Sequence, residues 1–174
     1  YEYIQHEMSS ISEFLSLYTG ISGPSSTLST ACSSSGKAFA SARNLLDMNI
    51  CDAVIVGGAD SLCKLTLNGF SCLDAISPEL SNPMSRNRRG INIGEGAALF
   101  LMTKEEGDIQ LLGLGESSDA HHISAPQPDG LGAEASMSAA LADASLKAED
   151  ISYLNLHGTR TPHNDSMESK SLAR

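Results

Sequence analysis

No apolar run in this chain is long enough to cross a bilayer: the longest, around residues 53–58, falls far short of the roughly 20 residues a membrane helix needs. A basic patch followed by an apolar segment is also missing from the N-terminus, so no secretory signal is expected. Positive charge is scarce. Eleven Lys and Arg stand against 21 Asp and Glu, for a net charge of −10, and a field of that sign disfavours nucleic acid as a partner. The four cysteines, at 32, 51, 63 and 72, form no CxxC pair, and no histidine stands beside them at zinc-ligand spacing. They read as reduced thiols of a cytoplasmic protein with no metal site. The neighbouring His121 and His122 do not alter this, because an adjacent pair rarely aims both rings at one ion. Repeats at a fixed period are absent, and so is any linker convincing enough to divide the chain.

What is present suits one soluble domain: 174 residues, 41% of them hydrophobic, are enough for a real core. Ile4, Met8, Ile11, Leu15 and Tyr18 repeat at helical spacing and predict a first helix, closed by Gly20. Residues 25–30 read as a short strand, 37–48 as a buried helix rich in small residues, and 52–58 as an interior strand covered on both faces. Strand, helix and strand in that order imply a layered α/β architecture. A short helix over 67–76, a long arginine-bearing loop over 77–92, and strands over 98–102, 109–116 and 151–156 follow. Helices are expected over 132–146 and from about Ser166, the latter capped by Asn164 or Asp165.

Two places carry chemistry. Cys32 sits in Ser29-Thr30-Ala31-Cys32-Ser33-Ser34-Ser35-Gly36, where a strand would turn into a helix. The positive end of that helix favours a thiolate, so Cys32 reads either as a nucleophile or as a small buried hydrophobe. His157 stands just past the last expected strand, at the carboxyl end where ligands collect in α/β sheets. A thiol and an imidazole together suggest nucleophilic catalysis, with backbone N–H groups at the helix start available to an oxyanion.

The Cys32 block and His157-Gly158-Thr159-Arg160-Thr161-Pro162-His163-Asn164-Asp165 resemble the TACSS and HGTxTxxxD signatures of the β-ketoacyl–acyl carrier protein synthases. Asn82-Pro83-Met84-Ser85-Arg86-Asn87-Arg88-Arg89-Gly90 leading to Gly94-Glu95-Gly96-Ala97-Ala98, and Ser118-Asp119-Ala120-His121-His122-Ile123-Ser124, agree in order. The resemblance implies a thiolase-like layered α/β/α/β/α fold, incomplete at both ends, with residues 1–174 as the central portion of a single unit. It spans the end of the N-terminal half and the start of the C-terminal half. Family members continue to a lysine and a second histidine that this sequence does not contain.

It further implies a decarboxylative Claisen condensation between a cysteine-bound acyl group and malonyl-carrier protein, in fatty acid, polyketide or aryl polyene synthesis. Cys32 would be the nucleophile and His157 would stabilise the enolate or thioester oxygen. Thr159, Thr161 and Ser124 would bind the pantetheine arm, Phe70 would line the acyl pocket, and Asp165 and Glu168 would hold the polar network behind the site. No cofactor is implied beyond the phosphopantetheine carried by the acyl carrier protein, which is the expected partner, alongside a homodimer or a heterodimer with a ketosynthase-like subunit. The alternative is a non-condensing subunit of the same family. Ordinary roles compete for several residues: a turn cap for the threonines, a loop hydroxyl for Ser124, plain core for Phe70. Arg160 departs from the family, which has a small residue there; it could block the arm, bind its phosphate or turn outward. Arg86, Arg88 and Arg89 read as a solvated or structural cluster, or as a patch that meets the acidic carrier.

Overall fold

A computed structural model describes residues 2–174, with the side chain of Ile4 outside the described set. Its helices are α1 (Ser10–Thr19), α2 (Ser34–Asp47), α3 (Lys64–Cys72), α4 (Leu131–Ala144) and α5 (Pro162–Leu172), and its strands are β1 (Ala53–Asp60) and β2 (Gly96–Thr103). They fall into two compact units, one running through Ser61 and including Glu95–Asp108, the other made of Leu62–Gly94 and Ile109–Arg174.

In the first unit, β1 is the expected β-branched run, and it pairs antiparallel with β2 in a register from Ala53 opposite Thr103 to Asp60 opposite Gly96. A Cβ on Gly57 would collide with the Ala98 carbonyl and one on Gly58 with the Ser35 hydroxyl, so these glycines bring β2 and the first turn of α2 close to β1. Phe39 of α2 meets Phe100 of β2 edge to face, with centroids 5.6 Å apart. Among the described residues, Ala42, Leu46 and Val56 are the buried apolar ones. Leu46 and Val56 contribute about 1.5–3 kcal/mol each by leaving water.

Three expectations change here. The interior strand expected over 52–58 is open instead: only Val56 of β1 is buried, and among the described residues β1 has one partner strand, β2. Residues 25–30 form no strand: the Thr30 N–H donates to Ser34 Oγ (2.9 Å) and Thr27 Oγ1 donates to Ser12 Oγ (3.0 Å), so hydroxyls take the place of a ladder. The first helix begins only at Ser10, after a 3-10 turn over Tyr3–His6, although Gly20 closes it in the left-handed region (φ 74°) as expected.

In the second unit, residues 77–92 form the expected loop, pinched at its neck by Ser77 N–H to the Ile91 carbonyl (2.9 Å) and Ile91 N–H to the Ala75 carbonyl (2.7 Å). Residues 109–116 are not a strand. The Leu114 N–H is taken by Asp143 of α4 (2.8 Å), and the backbone there lies directly against α4 beside Ser136, Ala140 and Ala144. Residues 151–156 likewise join no ladder among the described residues. The last helix starts a turn earlier than expected, with Thr161 as N-cap and Pro162 in its first turn, where the fixed φ of proline suits a helix start and its missing N–H costs nothing.

Candidate active site

Cys32 and His157 belong to different units, and each is built within its own. Ala31, just before the cysteine, has φ 55°, a left-handed conformation that an L-residue holds only when its surroundings impose it. The serines after the cysteine impose it. Ser33 Oγ donates to the Thr30 carbonyl (2.8 Å), Ser34 Oγ to the Ala31 carbonyl (2.5 Å), and the Ser34 N–H to that same carbonyl (3.1 Å). The chain therefore turns sharply at Ala31 and enters α2 through its N-cap, Ser33. The Cys32 thiol is left exposed, which removes the buried-hydrophobe reading. It lies on the edge of a cleft of about 590 Å³ lined also by Ile11, Leu15, Leu28, Leu45 and Val54.

The second unit concentrates its buried side chains at the other motif, and they are polar: Ser77, Arg160, Asn164, Asp165, Glu168 and Ser171. Glu168 reaches back from α5 and accepts the His157 N–H (2.7 Å) on one oxygen, and the Gly158 N–H (2.9 Å) and Asn164 Nδ2 (2.9 Å) on the other. This fixes the backbone of the histidine while its ring stays exposed. Gly158 has φ 55° and packs on Pro83 at 3.4 Å from where its Cβ would stand, so a side chain there would be strained.

Asp165, 1% exposed, accepts the Met84 N–H (2.8 Å) and the Arg160 N–H (3.1 Å), and Arg88 Nε stands 3.5 Å away. It thus ties the 77–92 loop to the turn after His157. Its place in the first turn of α5 adds the favourable field of the helix N-terminus. Thr159 Oγ1 and Thr161 Oγ1 are 2.8 Å apart and half-buried, forming a paired hydroxyl edge.

Five of the expected residues, His157, Thr159, Thr161, Asp165 and Glu168, therefore come together. Among the described residues, Ser124 shares no hydrogen bond with this group; it sits on an exposed loop, where its N–H donates to His122 Nδ1 (3.1 Å). Phe70 is half-buried in the last turn of α3, its carbonyl accepting the Leu73 N–H (3.2 Å) and the Ala75 N–H (3.1 Å). Arg160 does not turn outward: it is fully buried, with its guanidinium on Ser77 and Glu79. Of the arginine cluster, Arg88 is structural, while Arg86 and Arg89 are exposed. Ser77 and Glu79 carry no periodic signal in their polar stretch and are not among the expected residues, and Asn164, expected only as a helix cap, is instead buried against Glu168.

The Ser124 loop has its own tether. Asp119 accepts the Gln127 N–H (2.8 Å) and the His121 N–H (3.1 Å), and these two bonds, the Gln127 one foremost, hold its carboxyl below the ordinary value of 3.8. With the folded value depressed, the tether is complete above the unfolded value and is lost as pH falls through the lower folded one. The Gln127 amide proton followed by NMR is expected to titrate with a midpoint below 3.8; a midpoint at or above that value would contradict the tether.

Residues 1–107 match the Beta-ketoacyl synthase N-terminal domain and residues 110–174 the Beta-ketoacyl synthase C-terminal domain. Nodulation protein E of Rhizobium meliloti is 36% identical over 169 residues, a match covering 92% of this chain and 42% of that protein. The 3-oxoacyl-acyl-carrier-protein synthase 2 of Vibrio cholerae serotype O1 is 32% identical over 175 residues, with the same coverage of 92% and 42%. A chain of the solved complex of the ketosynthase ApeO with its chain length factor ApeC from Xenorhabdus doucetiae superposes with a TM-score of 0.96 at 50% identity, covering 99% of this chain and 43% of that one. The chain thus spans about two-fifths of the length of the relatives it matches. The fold is the thiolase-like α/β fold of these ketosynthases. On the two domain matches, which together take in nearly every residue, the chain belongs to the β-ketoacyl synthase family.

Proposed function

We propose that the protein containing this chain is a β-ketoacyl–acyl carrier protein synthase, an acyltransferase with Cys32 as its nucleophile. The observation that carries this reading is the exposed Cys32 thiol, set by the left-handed Ala31 ahead of α2 and opening on a mainly apolar cleft. The Cys32 sulfur attacks the carbonyl of an acyl thioester on an acyl carrier protein, whose pantetheine thiol leaves with the proton. A malonyl-carrier thioester then loses carbon dioxide, and its α-carbon attacks the acyl-Cys32 carbonyl, breaking the bond to sulfur and lengthening the chain by two carbons. His157, with its backbone held by Glu168, donates to the thioester oxygen that gains charge as carbon dioxide leaves. The hydroxyl edge of Thr159 and Thr161 receives the pantetheine arm, with Ser124 as a further contact and Phe70 against the acyl chain. Asp165 and Glu168 hold the turn that carries these groups.

The phosphopantetheine arrives on the carrier, so the chain needs no resident cofactor. Its partners on this reading are an acyl carrier protein and a second ketosynthase-like subunit, in a homodimer or a heterodimer, in the cytoplasm. The carrier named in the Vibrio cholerae relative and the chain length factor named in the Xenorhabdus doucetiae complex support both. Incubating the complete protein with an acyl-carrier thioester and locating the acyl group by mass spectrometry tests the assignment: acyl on the Cys32 peptide is expected, and acyl on Cys51, Cys63 or Cys72 instead would sink it.

A further inference from the structure

Arg160 is the largest fully buried side chain among the described residues, and it sits between the two threonines with φ 62°. A long side chain in the left-handed region is unfavourable, and such a conformation persists only where the surroundings over-determine it. Here they do so at three points. The Arg160 N–H donates to Asp165 Oδ1 (3.1 Å), and its carbonyl accepts the Gly90 N–H (3.1 Å). Its guanidinium reaches across to the neck of the 77–92 loop: Nη1 donates to Ser77 Oγ (2.9 Å) and the Glu79 carbonyl (3.0 Å), and Nη2 to Glu79 Oε2 (3.0 Å).

We infer that Arg160 is a positioning residue: its guanidinium clamps the His157–Thr161 turn to the Ser77–Glu79 turn, and so sets where the Thr159 and Thr161 hydroxyls stand. This rests on the proposed condensing activity, because it assigns those hydroxyls to a carrier-bound substrate. The planar fork is what the site uses. Two nitrogens serve three acceptors on one turn, which the point charge of a lysine does not reproduce. Asn92 completes the clamp from the other side, its Nδ2 donating to the carbonyls of Ser77 (2.9 Å) and Glu79 (3.0 Å), so the turn that Arg160 grips is itself stiff. Ser77 is buried with the arginine, whereas the Glu79 side chain is 70% exposed. The clamp can therefore be opened from the solvent side without touching the buried network.

The test uses the complete protein in three variants. R160G relieves the left-handed strain but removes the fork, R160K keeps the charge without the fork, and E79Q removes the ion pair from the exposed side. In R160G and R160K the rates of Cys32 acylation and of condensation are both expected to fall about tenfold, with KM for both carrier substrates raised, because the same binding edge receives the pantetheine arm in each step. E79Q is expected to move the rates and KM values the same way by about threefold, since its amide oxygen still accepts from Arg160 Nη2 but the ion pair is lost. Amide hydrogen exchange over residues 157–161 reads the clamp without the assay and is expected to quicken in all three. Unchanged exchange in folded E79Q overturns the inference, whatever the enzyme does. Quickened exchange with unaltered rates and KM values overturns the link to the hydroxyls. Should R160G or R160K fail to fold, E79Q decides alone. A wild-type protein that takes no acyl group on Cys32 defeats the proposed function instead, and the exchange result then still decides the clamp.

Discussion

Replacing Cys32 by alanine in the complete protein is expected to abolish condensation, a loss of about 10⁴-fold or more, because the neighbouring serine hydroxyls are far weaker nucleophiles than a thiolate and those of Ser33 and Ser34 are turned back onto the Thr30 and Ala31 carbonyls. The same substitution is expected to leave stability within about 0.5 kcal/mol, since an exposed side chain gives up little packing. The pairing of these two outcomes separates a nucleophile from a structural thiol. The left-handed Ala31 and the serine hydroxyls that return to Thr30 and Ala31 do not involve the Cys32 side chain, so the turn survives without its sulfur. Rates with acyl- and malonyl-carrier substrates, together with a denaturation curve, give both readings. Condensation at a tenth of the wild-type rate or above would remove Cys32 from the chemistry.

Glu168→Ala is expected to cost both stability and activity. Glu168 is 8% exposed, and its two oxygens accept three donors, two of them the backbone N–H groups of His157 and Gly158. Removing it leaves those groups without their acceptor in a half-buried turn, at about 1–3 kcal/mol for each group that water cannot reach. A loss of about 2–4 kcal/mol in the denaturation free energy follows. Condensation should fall about a hundredfold, since the histidine loses the restraint on its backbone and a displacement near 1 Å is worth that much. Glu168→Gln is the informative comparison: its amide keeps one acceptor oxygen but turns a donor toward the second donor pair, so it should resemble alanine more than glutamate. A Gln variant with wild-type stability and rate would show that the carboxylate does not hold the turn.

The parts of the fold that were legible in the sequence are those whose signal is local. A β-branched run closed by glycines predicts β1, a run of small, alanine-rich residues predicts α2 and α4, and Gly20 predicts the end of α1. The strands expected over 25–30, 109–116 and 151–156 failed for one reason. A strand exists only by pairing, and in two of these segments backbone N–H groups go to Ser34 Oγ and Asp143 instead. Pro162 was present as a signal for the start of α5, but Asn164 and Asp165 are equally good caps on paper, and only the contacts that bury their side chains made them interior groups.

By itself the sequence determined the family motifs, their order, and that a thiol and an imidazole each stand at the mouth of a polar turn, because residue type and spacing along the chain suffice for that. Tertiary structure alone decided that Cys32 is exposed, that Glu168 and Asp165 grip the His157 turn across 11 and 5 residues, and that Arg160 is an internal clamp on a segment 81–83 residues away. These are questions of which donor meets which acceptor once water is excluded. Local sequence does not carry that information, since the partners come from chain segments that only folding brings together.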